Sequence, residues 1–321
     1  MDFAPIEGKD VFITGGAGFI GSTLVGLLVE RNKVTVLDNF SRDALSGKAF
    51  RNHSNLTVVK GDILDPAAVK KAIGNPHLVI HCAAIAGIDT VIKSPITTMR
   101  TNMLGSANVL EACAGAARLE RAVFFSTSEV FGQTAFRSEE TDSTVTGAVG
   151  EARWTYAISK LAEEHLAHAY FKEMGMPTVT VRPFNVYGPG QVGEGAIRTF
   201  IQRAIKDETL EIHGDGTQIR AWCYVDDLVR GIGLALSEKA AVGETFNLGN
   251  SRAVVTIYGL ANTIVRVLGS KSRIVFTNKD YADVELRVPS TLKAKRLLGF
   301  EAEVDLEDGI ARTARFYRGL I

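Results

Sequence analysis

The sequence has few of the features that mark secreted, metal-binding or membrane proteins. Its three cysteines, Cys82, Cys113 and Cys223, lie far apart, with no CxxC pair or histidine-rich neighbour. They predict neither a disulfide framework nor a zinc site, so we interpret them as reduced thiols and predict no metal. No apolar run approaches the roughly 18 residues that a membrane span needs. We therefore expect a cytoplasmic protein with no membrane partner.

The sequence also has no excess of positively or negatively charged residues. The 36 Lys and Arg residues balance 36 Asp and Glu residues, and there is no basic run. Without a net field, nucleic acid is not an expected partner, which leaves a small molecule or another protein. The chain of 321 residues is 46% hydrophobic, enough to bury a large core in one big or two modest domains.

Short Val- and Ile-rich runs alternate with longer segments of helical periodicity in the first half of the chain. The runs are VFIT, KVTVLD, LTVVKGD, HLVIHCA, RAVFFS and PTVTVRP. Continuous apolar strands separated by helices predict an α/β fold with a doubly wound parallel sheet that is covered on both faces. Ser94 and Pro95 predict the start of a long helix that reaches about Arg118.

The first strand ends in the glycine-rich stretch TGGAGFIG. Gly16, Gly18 and Gly21 have GxGxxG spacing, and Gly15 adds a GxxGxxG match. Because the stretch follows a strand and opens a helix, its glycines permit a tight turn and close approach of the backbone to a pyrophosphate. We predict that a dinucleotide contacts Gly15, Gly18, Phe19, Ile20 and Gly21.

An aspartate at the end of the second strand indicates which dinucleotide binds. Asp38 lies about 20 residues after the first glycine, where a carboxylate accepts both ribose hydroxyls and repels a 2′-phosphate. This favours NAD over NADP. Arg42 is the one nearby residue that would still allow NADP to bind, and we interpret it as a charge on the protein surface. We expect Asp62 to reach the adenine and Asp65 to cap the helix that follows. The predicted cofactor set also includes Ile63 and Ala83.

The pattern changes after Arg182. The stretch PFNVYGPGQVGEG is rich in Gly and Pro, and then come a helix, the strand and turn LEIHGDG, a helix from about Val225 and the strand ETFNLGN. We predict an NAD-binding domain formed by residues 1–185 and about 225–255. Residues 186–224 and 256–321 are predicted to form a smaller C-terminal α/β lobe that binds the substrate.

Tyr156 and Lys160 lie four residues apart in RWTYAISKLAEEHLA and share one face of a helix. A lysine cation beside a phenol favours the phenolate and lowers the tyrosine pKa from about 10 towards the range of a general base. Alone, such a pair is typical of an amphipathic surface. Behind a nucleotide fingerprint, it predicts a catalytic base.

The stretch FFSTSEVFG, residues 124–132, is an apolar strand that ends in hydroxyl side chains and the carboxylate of Glu129. Together with TGGAGFIG, Asp38, HCAA and YAISK, in that order and spacing, it resembles the extended short-chain dehydrogenase/reductase family that modifies nucleotide-diphosphate sugars. The resemblance spans nearly the whole chain. It implies a Rossmann domain with bound NAD, a lobe that holds the nucleotide sugar, and a tyrosine base that helps NAD oxidise a sugar carbinol, usually at C4.

The resemblance also implies roles for individual residues. Thr127 and Tyr156 would hold the C4 hydroxyl, and Lys160 would bind the nicotinamide ribose and tune Tyr156. Three further residues would support the site: Asn102 orders it, His81 is packed as a structural histidine, and Ser126 supports the strand end. The family implies a homodimer through helices near 94–118 and 153–174.

Three residues of the second half match substrate-binding positions of the family. Asn185 in RPFNVYGPG and Arg220 in GTQIRAWCYVDD match positions that hold the diphosphate. Arg287 matches an Arg-x-Pro motif of the decarboxylases that lies over the substrate. A guanidinium pairs with either a carboxylate or a diphosphate, so Arg287 suits both ligands.

Ser128 and Glu129 narrow the reaction to chemistry at C5 and C6 of the sugar. A C4 ketone acidifies the C5 proton, so a nearby carboxylate can remove it and expel the C6 hydroxyl, which is dehydration. The same ketone turns a C5 carboxylate into a β-keto acid that loses carbon dioxide. In the 4-epimerases of the family small neutral residues fill the Glu129 position, so an acid argues against simple epimerisation.

The form STSE is shared by dehydratases of the GDP-mannose type and by UDP-glucuronate decarboxylases, whereas dTDP-glucose dehydratases resemble STDE. The Arg-x-Pro motif and RWTY favour decarboxylation of a UDP-hexuronate such as UDP-glucuronate. The loop AGIDTVIKSP departs from the decarboxylase form and leaves the sugar open, and Phe131 replaces a usual tyrosine with an expected effect on packing. The alternatives are a 4,6- or 5,6-dehydratase, then a 4-epimerase, then a non-catalytic NAD-sensing protein.

Overall fold

The computed structural model describes residues 6–278 and 284–320. The strands of this part are β1 Asp10–Thr14, β2 Lys33–Asp38, β3 Leu56–Lys60, β4 Leu78–His81, β5 Arg121–Phe125, β6 Thr134–Ser138, β7 Thr178–Pro183, β8 Val186–Tyr187, β9 Leu210–His213, β10 Ile219–Ala221, β11 Cys223–Tyr224, β12 Thr245–Leu248, β13 Val254–Thr256, β14 Ile274–Thr277 and β15 Leu286–Pro289. The α-helices are α1 Phe19–Leu28, α2 Pro66–Ile73, α3 Ile88–Lys93, α4 Pro95–Ala114, α5 Thr155–Met174, α6 Ala196–Ile205, α7 Val225–Ser237, α8 Ile257–Leu268, α9 Leu292–Leu298 and α10 Leu306–Arg318.

A seven-stranded parallel sheet forms the centre of the molecule. Its strand order is β12-β7-β5-β4-β1-β2-β3, and every neighbouring pair is parallel. The chain moves outward from β1 to β3 and then returns to β4 on the other side of β1, so the strand order reverses between β1 and β4. In open α/β sheets ligands bind at the carboxyl edge of such a switch point. The predicted doubly wound Rossmann fold is confirmed.

Both faces of this sheet are buried, as the continuous apolar strands predicted. Along β1, Val11 and Ile13 belong to a core cluster with α1 and α7, whereas Phe12 belongs to a cluster with α2, α4 and α5. Successive side chains of a strand point to opposite faces, so β1 contributes to both cores. Polar side chains therefore collect at the strand ends, where the chain leaves the core.

A second, smaller layer forms the lobe over the carboxyl edge of the sheet. Four strands pair in the order β13-β10-β15-β6, and α6, α8 and α10 share a separate hydrophobic cluster. Strand β6 comes from residues 134–138, within the segment predicted for the NAD-binding domain, yet it pairs with β15. At β6 the predicted division into two domains therefore differs from the observed strand pairing. The chain leaves the central sheet after β5, and β6 joins the sheet of the lobe.

The long helix α4 begins at Pro95, as predicted. The side chain of Ser94 makes no capping hydrogen bond, so the start of the helix is set by Pro95. The helix ends at Ala114, with Gly115 at the C-cap position, and not near Arg118. In the described residues we find no helix long and apolar enough to cross a bilayer.

Candidate active site

The turn between β1 and α1 is closed by glycines that no other residue could replace without movement. Gly15 has a φ of 68°, and a Cβ there would lie 2.5 Å from the backbone nitrogen of Ala83. A Cβ on Gly21 would lie 2.2 Å from the carbonyl oxygen of Gly15. The Gly15 amide donates to the Leu37 carbonyl at 2.9 Å, which fixes the turn to β2. The backbone is thereby exposed to a ligand in the form that a pyrophosphate needs.

Asp38 is held at the end of β2 by backbone donors. Its Oδ2 accepts from the Ala17 amide at 2.9 Å, and its Oδ1 accepts from the Phe40 amide at 2.8 Å. Burial raises the pKa of this carboxyl, and the two backbone hydrogen bonds act against that rise. Each carboxylate oxygen has a second lone pair, so Asp38 can still accept from two ribose hydroxyls.

A cleft at the carboxyl edge of the sheet brings the predicted cofactor residues together. It is lined by Gly15, Gly18, Phe19, Ile20, Gly21, Asp38, Asp62, Ile63 and Ala83. The other two residues predicted for the cofactor, Tyr156 and Lys160, line an adjoining cleft that shares Ile20 as a wall. The two clefts are therefore continuous, with the catalytic pair at their junction with the lobe.

The two aspartates after β3, Asp62 and Asp65, lie in different surroundings. Asp65 caps α2, because its Oδ1 accepts from the amides of Ala67 at 2.9 Å and Ala68 at 3.2 Å. Asp62 lies in the lining of the first cleft, with its Oδ1 on the Leu64 amide at 2.9 Å. The predicted cap is confirmed, and Asp62 is positioned where a ligand can contact it.

The interpretation of Arg42 as a surface charge is wrong. Its Nη2 donates to the Ala86 carbonyl at 2.9 Å and lies 3.4 Å from Oγ1 of Thr90, and the residue lines the first cleft. The segment after β4 folds as α3 and not as an open loop, which brings these acceptors to the guanidinium. Arg42 therefore links the end of β2 to α3.

The polar residues after β5 form a short 3-10 helix, Ser128–Phe131. Thr127 caps it, with Oγ1 accepting from the Glu129 amide at 3.2 Å. This tight turn directs several predicted residues into the second cleft, which is lined by Ser126, Thr127, Ser128, Glu129, Tyr156, Lys160, Asn185 and Arg287. Phe131 points the other way and packs with Phe184, so its expected packing role is confirmed.

Glu129 and Arg287 form an ion pair across the second cleft. Nη1 of Arg287 lies 3.7 Å from Oε1 of Glu129, and Nη2 donates to the Gly132 carbonyl at 2.7 Å. The guanidinium is almost fully buried, while 20% of the Glu129 side chain remains exposed to the cleft. Strand β15 of the lobe thus delivers a cation to the turn that carries the acid.

The pKa of Tyr156 is raised, which contradicts the expected effect of Lys160. Burial is the main cause, and the carboxylates of Glu129 and Glu163 add to it, whereas a hydrogen bond from Thr127 opposes it. The ammonium of Lys160 forms an ion pair with Glu163 on the next turn of α5, so a carboxylate offsets its charge. In the described structure Nζ of Lys160 makes no hydrogen bond to Tyr156.

Asn102 connects the two helices that flank the site. Its Oδ1 accepts from the Ile85 amide at 2.8 Å, and its Nδ2 donates to the Ile85 carbonyl at 3.1 Å and to Oγ of Ser159 at 3.0 Å. Ser159 directly precedes Lys160 on α5. The asparagine therefore holds the loop after β4 against the helix that carries the tyrosine and the lysine, which agrees with the ordering role expected for it.

His81 is fully buried at the end of β4. Its Nδ1 lies 2.6 Å from Oγ1 of Thr14, and its Nε2 lies 2.9 Å from Oγ of Ser106. Burial, with a smaller contribution from the charge of Lys160, keeps its pKa well below the ordinary value. The prediction of a packed structural histidine is confirmed.

The two residues predicted at the diphosphate differ in position. Asn185 lines the second cleft, and its Nδ2 donates to the Ala221 carbonyl at 2.9 Å. Arg220 does not line either cleft. Its guanidinium donates to the carbonyls of Ile219 at 3.0 Å and Val284 at 2.5 Å, and its contact with the diphosphate stays a prediction.

Two glutamates near the clefts were not predicted from sequence. Glu163 pairs with Lys160, and the spacing of three residues on a helix was the available signal. Glu194 lines both clefts and accepts from the Asp89 amide at 3.1 Å and from the Thr90 amide at 3.2 Å. It lies in a Gly-rich segment whose composition indicates a loop but not where a carboxylate will point.

The sequence pattern of the NAD dependent epimerase/dehydratase family matches residues 11–249. The chain belongs to this family. Its cofactor is NAD, and the first cleft fits that cofactor: the glycine turn leaves space that a Cβ would fill, and Asp38 presents a carboxylate where the ribose hydroxyls are expected. Family members are enzymes, and so is this protein.

Similar proteins include three different activities. UDP-N-acetyl-alpha-D-glucosaminuronate decarboxylase from Bacillus cytotoxicus is 35% identical over 324 residues, covering 97% of this chain and 98% of the relative. dTDP-glucose 4,6-dehydratase from Streptomyces niveus is 32% identical, covering 96% of this chain and 92% of the relative. The solved UDP-glucuronic acid 4-epimerase from Bacillus cereus, in complex with UDP-glucuronic acid and NAD, has a TM-score of 0.89 at 28% identity and covers 97% of this chain and 100% of that one.

Proposed function

We propose that this enzyme decarboxylates a UDP-hexuronate, such as UDP-glucuronate, through a transient 4-keto sugar. The observation that carries the proposal is the pair formed by Glu129 and Arg287, 3.7 Å apart in the cleft that also holds Tyr156. Arg287 offers a guanidinium that can pair bidentately with a sugar carboxylate. We assign the sugar carboxylate to Arg287 because it lies beside Glu129, the acid for which we propose contact with C5 and C6.

The first step is oxidation at C4. Bound NAD supplies a hydride acceptor and later a hydride donor. Tyr156 takes the proton of the C4 hydroxyl and returns it when the ketone is reduced, while Thr127, whose hydroxyl lies beside the phenol, holds the same oxygen. Asn185 and Arg287 contact the nucleotide sugar from the lobe side of the cleft.

The second step is loss of carbon dioxide. The bond between C5 and C6 breaks, its electron pair moves into the C4 ketone, and the resulting enolate takes a proton from water at C5 before the ketone is reduced. Arg287 binds the carboxylate in the ground state. Glu129 holds the guanidinium and places a second negative charge near the substrate carboxylate, which favours release of neutral carbon dioxide. Tyr156 and Thr127 donate to the enolate oxygen.

A dehydratase is the second candidate, because Glu129 is partly exposed to the cleft and could remove the C5 proton as a base. Expulsion of the C6 hydroxyl would then give a 4-keto-6-deoxy sugar, or a 5,6-unsaturated one. The third candidate is a 4-epimerase, for which the acid has no evident use.

The deciding experiment is a substrate panel followed by NMR of the sugar. The purified enzyme is incubated with NAD and UDP-glucuronate or UDP-N-acetylglucosaminuronate, and in parallel with UDP-glucose, UDP-N-acetylglucosamine and GDP-mannose. Decarboxylation gives a pentose-type spectrum and one carbon dioxide for each sugar consumed. An unchanged hexuronate spectrum, or a 4-epimer formed without carbon dioxide, contradicts the proposal, and a deoxy sugar from the parallel arms supports the dehydratase.

We also propose that the enzyme is a cytoplasmic homodimer formed through α4 and α5. The two helices pack on each other, and they leave large apolar side chains exposed on the outer face of the pair: Ile96, Met103, Leu104 and Ile158. A second copy of the same face would bury them. The three cysteines are free thiols, which is typical of a reducing compartment.

A further inference from the structure

Behind the catalytic tyrosine lies a buried chain of polar side chains that the proposed mechanism does not use. It runs from the end of β1 through β4 and α4 to α5, and its members are Thr14, His81, Ser106, Glu163 and Lys160. Each of these residues is at most 1% exposed. Buried polar groups are costly unless they are paired, so a chain of five calls for a physical explanation.

The contacts are continuous. Oγ1 of Thr14 lies 2.6 Å from Nδ1 of His81, and Nε2 of His81 lies 2.9 Å from Oγ of Ser106. Oγ of Ser106 donates to Oε2 of Glu163 at 2.8 Å, and the same carboxylate oxygen forms the ion pair with Nζ of Lys160. The lysine is therefore connected to the strand that carries the glycine turn.

The protons of this chain can be assigned from its hydrogen bonds. The one proton of Ser106 Oγ has two acceptors, so Oγ accepts from Nε2 of His81, and Nδ1 of His81 accepts from Oγ1 of Thr14, which also accepts from the Ala83 amide at 3.4 Å. Neutral His81 then carries its proton on Nε2 and donates to Ser106. The single Ser106 proton is shared by two acceptors, the Asn102 carbonyl at 2.5 Å and Glu163. Glu163 therefore depends on Lys160 for most of its stabilisation as a carboxylate.

The neighbouring glutamate shows what a purely structural pair looks like on the same helix. Glu164 accepts two hydrogen bonds from Arg182, at 2.6 and 3.1 Å, and joins α5 to β7. Both glutamates are buried and both are ion-paired. Of the two glutamates, only Glu163 pairs with a residue of the catalytic pair, Lys160. A buried ion pair is by itself weak evidence that the pair stabilises the fold.

We propose that Glu163 is a positioning residue, which holds the Lys160 ammonium on the α4 side of α5 and offsets its charge at Tyr156 while the two side chains are paired. The proposal rests on the proposed function of Tyr156 as the base. It deepens that function by assigning the control of the base to a carboxylate three residues beyond the lysine.

The charges around the site agree with this assignment. Tyr156 faces the carboxylates of Glu129 and Glu163, which act with burial to raise its pKa. Glu163 faces Lys160, Ser106 and Glu164, and burial raises its pKa against the effect of Lys160. Two further titratable neighbours of Lys160 are neutral, because burial lowers the pKa of His81 and raises that of the Cys82 thiol. The guanidinium of Arg287 lies beside Glu129 in the cleft that Tyr156 also lines.

Removal of the Glu163 carboxylate should change the pKa of Tyr156. In Glu163→Gln one negative charge near Tyr156 disappears and Lys160 loses its partner. Both effects favour the phenolate, so the pKa of Tyr156 should fall by about one pH unit or more. The acidic limb of the kcat/KM profile should move to lower pH with it. A carboxamide of the same size keeps the packing, so loss of packing alone predicts no such shift. Glu163→Asp, which keeps the negative charge, separates the release of Lys160 from the loss of that charge.

The test is a tyrosine titration of the NAD-loaded enzyme by NMR, with the ζ carbons of tyrosine labelled and Tyr156→Phe identifying the resonance. The matched control is Glu164→Gln, which breaks the adjacent buried pair without touching Lys160. We expect the Tyr156 titration to shift in Glu163→Gln and to stay in place in Glu164→Gln, although both variants lose thermal stability. Equal titration curves in wild type and Glu163→Gln would overturn the proposal.

Two features keep this test decisive. If Glu163→Gln does not fold, Glu163→Asp retains the charge but withdraws it from Lys160 by one methylene, and a smaller shift in the same direction is expected; no shift there contradicts the proposal as well. The titration needs neither substrate nor turnover. Failure of the enzyme to act on any UDP-hexuronate would therefore overturn the proposed function while leaving the result for Glu163 intact.

Discussion

The reactivity of this site depends on the charges around a single phenol. Tyr156 is surrounded by two carboxylates, while the lysine four residues away is paired elsewhere. Burial first, and then these carboxylates, raise the pKa of the phenol, whereas a nearby cation would favour the phenolate that acts as a base. The residues that change these charges are the ones on which activity should depend most.

Glu129→Gln should lower kcat/KM by on the order of a hundredfold or more, because an acid in direct reach of C5 or C6 is lost. The measurement is turnover on the substrate that the NMR panel identifies. The exposed Glu139, ten residues along the chain, offers a control, since Glu139→Gln removes the same charge outside the cleft. A Glu129→Gln enzyme that keeps most of its activity would indicate a 4-epimerase.

His81 should make the fold sensitive to acid. Its pKa in the folded protein is well below the ordinary value of 6.5, so below that pH the unfolded chain binds a proton that the folded protein does not. The free energy of unfolding should therefore fall as the pH drops below 6.5, with this residue contributing up to about 1.4 kcal/mol per pH unit.

Urea unfolding at about pH 7, 6 and 5 measures this dependence. His81→Gln should have a shallower loss of stability with falling pH than the wild type, whereas His213→Gln, at an exposed position on β9, should retain the wild-type slope. The same slope in wild type and His81→Gln would show that His81 becomes protonated without unfolding.

Several site residues were predictable because their signals are local. Tyr156 and Lys160 are four apart on one helix, and Glu129 follows directly on a strand end, so the elements alone determine where they point. Arg220 was not predictable in the same way. Its position depends on carbonyls of Ile219 and Val284, and the second of these is distant in sequence.

At the scale of secondary structure, the β1–α1 turn has no room for a side chain at Gly15 or Gly21. Gly21→Ala would place a Cβ 2.2 Å from the Gly15 carbonyl, so the turn would have to move away from the pyrophosphate position. We expect NAD affinity to fall by about tenfold or more, which corresponds to about 1.4 kcal/mol. Calorimetry and the NAD content of the purified protein measure it, and we expect the wild type to co-purify with NAD.

Gly47→Ala is the control for that substitution. A Cβ at Gly47 meets no heavy atom within 4 Å, so NAD binding should be unchanged. If Gly21→Ala and Gly47→Ala bound NAD equally well, the close packing of the turn would have no role in holding the cofactor.

The central sheet was predictable because each strand is a continuous apolar run, which only a sheet covered on both faces can bury. Strand β6 lacks that signal. Ala135 is the one buried residue among its five, so neither an apolar run nor an alternating pattern marks the segment. The segment that forms α3 was also interpreted as a loop, because six residues are too few for a helical period to be visible.

At the scale of the whole molecule, the exposed apolar side chains on the outer face of α4 and α5 predict that the protein forms a dimer. Light scattering should show a dimer, and Leu104→Glu combined with Ile158→Glu should convert it to a monomer, because charges would enter the apolar contact. Phe276→Glu, on the exposed side of β14 in the lobe, should leave the dimer intact. A monomeric wild type would contradict the proposed interface.

The pairing of β6 with β15 also has a consequence for how the protein is made. Gly132 and Arg287 are 155 residues apart in sequence, yet they share a hydrogen bond beside Glu129. Closing so long a loop is slow, and domains begin to fold while the ribosome is still adding residues. A nascent chain can thus complete most of the central sheet, and even the cofactor cleft, long before Arg287 has been synthesised. Glu129 has no partner until then, so the enzyme gains its complete reactive centre only after Arg287 has been added to the chain.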